Sequence, residues 1–207
     1  MQPSGKRQVA VFGGTFDPIH LAHLIMAEQC REQARMDQVW FVPAARPPHK
    51  QEHTVTPFAQ RVEMLQLAIA GQPAFRVEEI ENERPGLSYM VDTLAELKQR
   101  HPDIDLHFLI GSDSLHDLPL WREPARILEL ATLIVTLRPG SRILSVPELR
   151  AHLQLPESVS VRMLVAEIPL IDISSRELRR RAAEGRSLRY LVPRAVECYI
   201  EAHRLYR

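Results

Sequence analysis

Apolar positions along the chain come in two alternating rhythms. Val9-Ala-Val-Phe12 is a short β run that stops at Gly13-Gly14, and Leu21 to Ala34 follows with helical spacing, Leu21, Leu24, Ile25 and Ala27 lining one side. Val39-Trp-Phe-Val42 is a second β run, ended by Pro43 and a proline-rich loop to Thr56. Thr56-Pro57 reads as an N-cap followed by proline in the first turn of a helix to about Ala70. Phe75 to Val77 predicts a third strand, Ser88 to Arg100 a helix with Met90, Val91, Leu94 and Leu97 on its apolar face, and Leu106 to Ile110 a fourth strand. A short helix over Glu123 to Leu130, a strand over Leu133 to Leu137, a helix over Val146 to Leu153 and a strand over Val161 to Val165 continue the pattern. Ser174 to Glu184 and Arg194 to His203 read as closing helices.

Repeated strand-then-helix order predicts an α/β fold: a Rossmann-like, mainly parallel sheet with helices on both faces and right-handed crossovers. No internal repeat interrupts it, so residues 1–207 read as a single domain whose last part, about 172–207, is a small helical appendage. In such sheets ligands bind beyond the carboxyl ends of the strands. The segments after Phe12, Val42, Ile110 and Val165 are therefore where chemistry is expected.

Composition narrows the field without naming a function. The chain is 45% hydrophobic and 25% charged, with 26 basic and 26 acidic residues. A formal charge of zero gives no bulk attraction to nucleic acid or an anionic membrane, so neither is expected as a partner. The two cysteines, Cys30 and Cys198, form no CxxC pair and read as free thiols, as expected in the cytoplasm. No apolar run is long enough to span a bilayer, and no metal site held by protein ligands alone is expected. A homo-oligomer is compatible with the sequence.

The sharpest signal is the loop after the first strand, Gly13-Gly-Thr-Phe-Asp-Pro-Ile-His-Leu-Ala-His23. Gly13 and Gly14 let a bound group approach the backbone, and the helix that follows presents N–H groups and the positive end of its dipole to phosphate. His20 and His23, three apart at the helix start, lie on one face and can reach the same polyphosphate. The loop is neither GxxxxGK[ST] nor GxGxxG. It resembles the GxFxPxHxGH signature of the nucleotidyltransferase superfamily, with Ala22 where the family has glycine. Ile173-Ser-Ser-Arg-Glu-Leu-Arg179 resembles the ISSTxIR motif found late in the same superfamily, with Arg176 in place of threonine and Leu178 in place of isoleucine.

Three central segments carry the resemblance further. Pro47-Pro-His-Lys50, Ser88-Tyr89 with Thr93, and Gly111-Ser-Asp113 through Trp121-Arg122-Glu123 follow the order seen in bacterial nicotinate-nucleotide adenylyltransferases. The resemblance implies transfer of the adenylyl group of ATP to nicotinate mononucleotide, with Mg2+ accompanying the ATP. It implies that Gly13, Gly14, Thr15, Phe16, Ile173, Ser174, Ser175 and Asp113 bind ATP. His20, His23, Lys50 and Arg179 would stabilise charge on the phosphates. Ser88, Tyr89, Trp121 and His49 would bind the mononucleotide, Trp121 by stacking on the cationic pyridine ring and the helix start at Ser88-Tyr89 by offering N–H groups to the carboxylate. Arg138 is a weaker nucleotide-binding candidate, and Trp40, His101 and His152 read as structural or solvent-facing. The alternatives are another adenylyltransferase of the superfamily, such as pantetheine-phosphate adenylyltransferase, a non-catalytic nucleotide-binding regulator, and a nucleic-acid binder resting on the basic stretch Arg176 to Arg194.

Overall fold

The computed structural model describes residues 5–48 and 55–207. Six parallel strands form one sheet in the order β3-β2-β1-β4-β5-β6. They are β1 (Arg7–Gly14), β2 (Gln38–Pro43), β3 (Phe75–Val77), β4 (Ile104–Gly111), β5 (Thr132–Thr136) and β6 (Met163–Ala166). Eight α-helices accompany them among the described residues: α1 (Leu21–Gln33), α2 (Phe58–Ile69), α3 (Met90–Arg100), α4 (Ser112–His116), α5 (Pro124–Leu130), α6 (Val146–His152), α7 (Ser175–Ala183) and α8 (Arg194–Ala202). The chain runs outward from β1 to β3, then returns to place β4 on the other side of β1. That reversal opens a crevice at the carboxyl ends of β1 and β4.

Strand alternation divides the core into two layers. Val9 and Val11 of β1, Trp40 and Val42 of β2, Phe108 and Ile110 of β4 and Val135 of β5 pack on one face, with Val91, Leu94 and Leu97 of α3 and Ile127 and Leu128 of α5. Ala10 and Phe12, Val39 and Phe41, Leu109 and Ile134 point the other way, onto Met26, Ala27 and Cys30 of α1, Met64 and Leu65 of α2, Leu178 of α7 and Val196 and Ile200 of α8. Both faces being covered explains why the strands read as unbroken apolar runs. The appendage expected at about 172–207 is α7 and α8, and it is part of the second layer.

Two local expectations differ. The N-cap of α2 is Pro57, with φ −46° and ψ 140°, and no side chain caps it. Proline has no N–H to lose at a helix entry. The start of α4 directly after β4 was not predicted, because Ser112-Asp113-Ser114 carries no apolar periodicity.

Leu94 is fully buried against the sheet. Leu94→Ala is expected to lower unfolding free energy by about 2–5 kcal/mol, through lost transfer energy and the cavity left behind. Urea denaturation of both proteins checks this.

Candidate active site

A cleft of about 280 Å³ opens over the carboxyl ends of β1 and β4. Gly13, Gly14 and Thr15 form one wall, Val42 and Ala44 another, and Ser88, Tyr89 and Met90 a third. Trp121 and Arg122 close it, over Phe108. Three separate stretches singled out in the sequence are thus brought to one cavity. A Cβ at residue 13 would run into the terminal methyl of Met90, which would have to swing aside. The Trp121 ring sits 5.9 Å from that of Phe108, partly buried, with one face left to the cleft. Arg122 lies 5.0 Å over the Tyr89 ring, which joins the two aromatic walls. Tyr89 is the N-cap of α3, so the first amides of that helix start at the cleft wall.

The histidines lie at the neighbouring turn. His20 is the N-cap of α1 and is 1% exposed; its ring stacks on that of His23, centroids 3.5 Å apart and planes 19° apart. Phe16 packs edge-on to His23 at 5.2 Å and to Phe12 at 5.4 Å. The Phe16 ring is therefore core: 2% exposed, with its backbone in the left-handed region at φ 49°. A nucleotide contact at residue 16 falls to its backbone. Burial, helped by the nearby Arg138 guanidinium, pushes the His20 imidazole down to about 3. Its Nδ1 has no hydrogen-bond partner among the described residues. In the free protein His20 is therefore a neutral ring beside a cation. Desolvation outweighs anything present to stabilise the imidazolium.

The late motif docks on this same turn. Ser174 caps α7, its hydroxyl accepting from the Glu177 amide, as its sequence position predicts. Ser175 Oγ donates to the Pro18 carbonyl at 2.9 Å, and one guanidinium nitrogen of Arg179 donates to the Asp17 carbonyl at 2.7 Å. Both side chains thus hold the loop. Ile173 packs against the second core layer, and the departure at Leu178 is a buried core position. Arg176 is exposed. Asp113 is exposed at the end of β4, its carboxylate 3.8 Å from Arg138 Nε. His49 and Lys50 lie outside the described residues.

A second apolar depression, of only about 10 Å³, lies beside α1. Ala22 and Ile25 face Leu137, Arg138 and Pro139 after β5 and Ile168 after β6. Ala22, the departure from the family glycine, is 4% exposed.

Sequence reading missed Asp17, Arg61, Glu81 and Tyr206. Asp17 is 3% exposed, and Tyr206 reaches back from the end of the chain to donate to its Oδ1 at 2.7 Å. Burial beside that carboxylate pushes the Tyr206 hydroxyl well above its usual range. Glu81 lies in the cleft wall and accepts from the Thr93 hydroxyl at 2.7 Å. Arg61 was legible: Phe58, Arg61, Val62 and Leu65 fall at i, i+3, i+4 and i+7, which puts an arginine on the buried stripe of α2.

Between the ordinary value of 6.5 and about 3, the unfolded chain holds a proton on His20 that the folded protein rejects. Stability contributed at this site therefore falls as pH drops through that window. From pH 7 to pH 5 the parent is expected to lose about 2 kcal/mol more than His20→Gln. Urea titrations at the two pH values check this, and equal losses would contradict it.

The sequence and the fold both have matches among known proteins. A cytidylyltransferase-like family model matches residues 11–181. The chain is 47% identical over 200 residues to a protein of Thermomicrobium roseum named "Probable nicotinate-nucleotide adenylyltransferase", covering 97% of this chain and 92% of the relative. A Thermus thermophilus protein of the same name is 46% identical over 97% of this chain and 100% of its own length. Among solved structures, nicotinic acid mononucleotide adenylyltransferase from Plasmodium falciparum, complexed with NaAD, superposes with a TM-score of 0.79 at 20% identity, covering 97% of each chain. At that identity the match speaks for the fold. The chain is a member of the cytidylyltransferase-like family and, within it, of the nicotinate-nucleotide adenylyltransferases.

Proposed function

We propose that the protein joins the adenylyl part of ATP to nicotinate mononucleotide, giving nicotinate adenine dinucleotide and pyrophosphate, with the cleft at Trp121 as acceptor site and the His20–His23 turn as triphosphate site. The observation that carries this reading is the adjacency of the two: Gly13 to Thr15 line the cleft, and the same loop runs directly into the stacked histidines. Trp121 and Tyr89 suit a flat cationic ring. The start of α3 suits its carboxylate, through N–H groups and the positive helix end.

The nucleophile is a phosphate oxygen that is already anionic, so no general base is required. Placement in line with the α-phosphate and neutralisation of charge supply the rate. His20 and His23 donate N–H to phosphate oxygens, and a triphosphate in contact stabilises the protonated form that burial suppresses in its absence. Arg179, Arg138 and Lys50 add fixed positive charge; the amides at the start of α7, capped by Ser174, face the same anion. At the start of α1, by contrast, the Leu21 N–H is already committed, donating to the Leu191 carbonyl.

No group of three or more His, Cys, Asp or Glu side chains suited to a metal occurs among the described residues. That donor set fits Mg2+ carried in on phosphate oxygens and water, with Asp113 as the carboxylate within reach of its hydration shell. When bound, the ion would withdraw charge from the leaving pyrophosphate. No described helix is long and apolar enough to cross a membrane. We assign the proposed reaction, between two water-soluble nucleotides, to the cytoplasm.

His20→Ala and His23→Ala are each expected to lower kcat at least about tenfold with the fold retained. Pyrophosphate release with circular dichroism checks this; unchanged turnover in both would remove the pair from the mechanism. Trp121→Ala is expected to raise KM for the mononucleotide about five- to thirtyfold with KM for ATP within about twofold, as loss of one cation–π contact implies. Parallel assays with nicotinate mononucleotide, its amide and phosphopantetheine separate this function from its superfamily rivals. Stabilisation by ATP without pyrophosphate release from any acceptor would favour a nucleotide-binding regulator.

A further inference from the structure

Arg61 is 1% exposed, yet it does not line the cleft. Its guanidinium reaches three backbone carbonyls in three different loops. Nε donates to Thr56 O at 2.9 Å, one terminal nitrogen to Thr15 O at 2.8 Å and the other to Ala44 O at 2.9 Å. Thr15 belongs to the turn after β1, Ala44 to the loop after β2, and Thr56 to the approach to α2. Asp17 is the acidic group nearest in effect, and Phe58 lies under the guanidinium at 5.4 Å.

Thr15 and Ala44 are both wall residues of the cleft, and they stand on adjacent walls. A second bond ties the same walls, the Ala44 amide donating to Gly14 O at 2.8 Å. The distance between the phosphate turn and the β2 wall is thus held by the end of the β1–β2 pairing and, beyond it, by one planar side chain anchored on a helix. Burying a cation among carbonyls costs desolvation energy, offset by the three charge-assisted bonds and the nearby carboxylate. Lysine keeps the charge but offers its three donors from one nitrogen, and cannot span three acceptors arranged around a plane.

We infer that Arg61 is a positioning residue for adenylyl transfer: it fixes the spacing between the turn at Thr15 and the wall at Ala44, and so the alignment of acceptor phosphate with ATP. This rests on the function proposed above. None of the three carbonyls belongs to the histidine pair or to the α7 motif, so binding of the triphosphate depends less on this spacing, whereas in-line attack depends on it closely. A misplacement of about 1 Å at a reacting pair costs on the order of 100-fold in rate.

The test is R61K in the full chain, with R61Q as a second variant that avoids burying an ammonium. In a folded variant we expect kcat lower by roughly 30- to 100-fold, with the Kd for a non-hydrolysable ATP analogue within about threefold. Independently of activity, hydrogen exchange at the Ala44 amide should quicken at least about tenfold, while amides in β5 keep their protection. A folded variant with parental kcat, or with unchanged exchange at Ala44, overturns the inference. So does failure of both variants to fold, which would make Arg61 a folding residue. A parent protein that releases no pyrophosphate from ATP and nicotinate mononucleotide overturns the functional reading instead, and the exchange measurement still decides whether Arg61 holds the two walls.

Discussion

A buried imidazole at the positive end of a helix has no reason to take up a proton until an anion arrives to balance it. His20 is in that position, at the entry to α1, stacked on His23 and close in effect to Arg138. In the proposed function this turn receives the negative charge of the triphosphate. Its cost is carried by the surrounding packing. The Phe12, Phe16 and Phe41 rings close beneath the pair, and α7 and the end of the chain clamp the turn from above through Arg179, Ser175 and Tyr206. Preorganisation of this kind leaves little rearrangement to be made when phosphate binds.

The topology accounts for where the proposed reaction would bring the two substrates together. Reversal of strand order between β1 and β4 leaves a crevice that helices cannot fill, and the turn after β1 necessarily runs along it. On one side lie the aromatic and amide walls at Trp121, Tyr89 and the start of α3. On the other lies the apolar depression beside α1. The glycines at 13 and 14 occupy the seam, where a side chain would meet Met90 or the Phe16 ring. Gly111 serves the same end of β4, since a Cβ there would meet Asp113 and Arg138.

Much of this was legible in the sequence because it depends on local periodicity and on short motifs. Apolar runs at 9–12, 39–42, 106–110 and 133–137 located four strands, and their unbroken character pointed to a sheet covered on both faces. The glycine-rich turn, the serine cap at 174 and the aromatic at 121 were found by residue type at a strand or helix end. What was not legible depends on distant partners. Nothing near Asp17 in the sequence announces that Tyr206 will reach it, and nothing near Arg61 announces the carbonyls of Thr15 and Ala44. The charge state of His20 was likewise invisible, because burial is set by the whole second core layer. The cap of α2 was misplaced by one residue because threonine before proline imitates a cap that the backbone at Pro57 supplies alone.

The account stands on the stacked histidines being the seat of the triphosphate. Nitrogen NMR of the His20 ring, with and without a non-hydrolysable ATP analogue, reads this directly. The free protein should show a neutral ring at pH 6, and saturation with the analogue should shift the His20 ring nitrogens toward the protonated or hydrogen-bonded range. Ring signals unmoved by saturating analogue would place the triphosphate elsewhere and contradict the account.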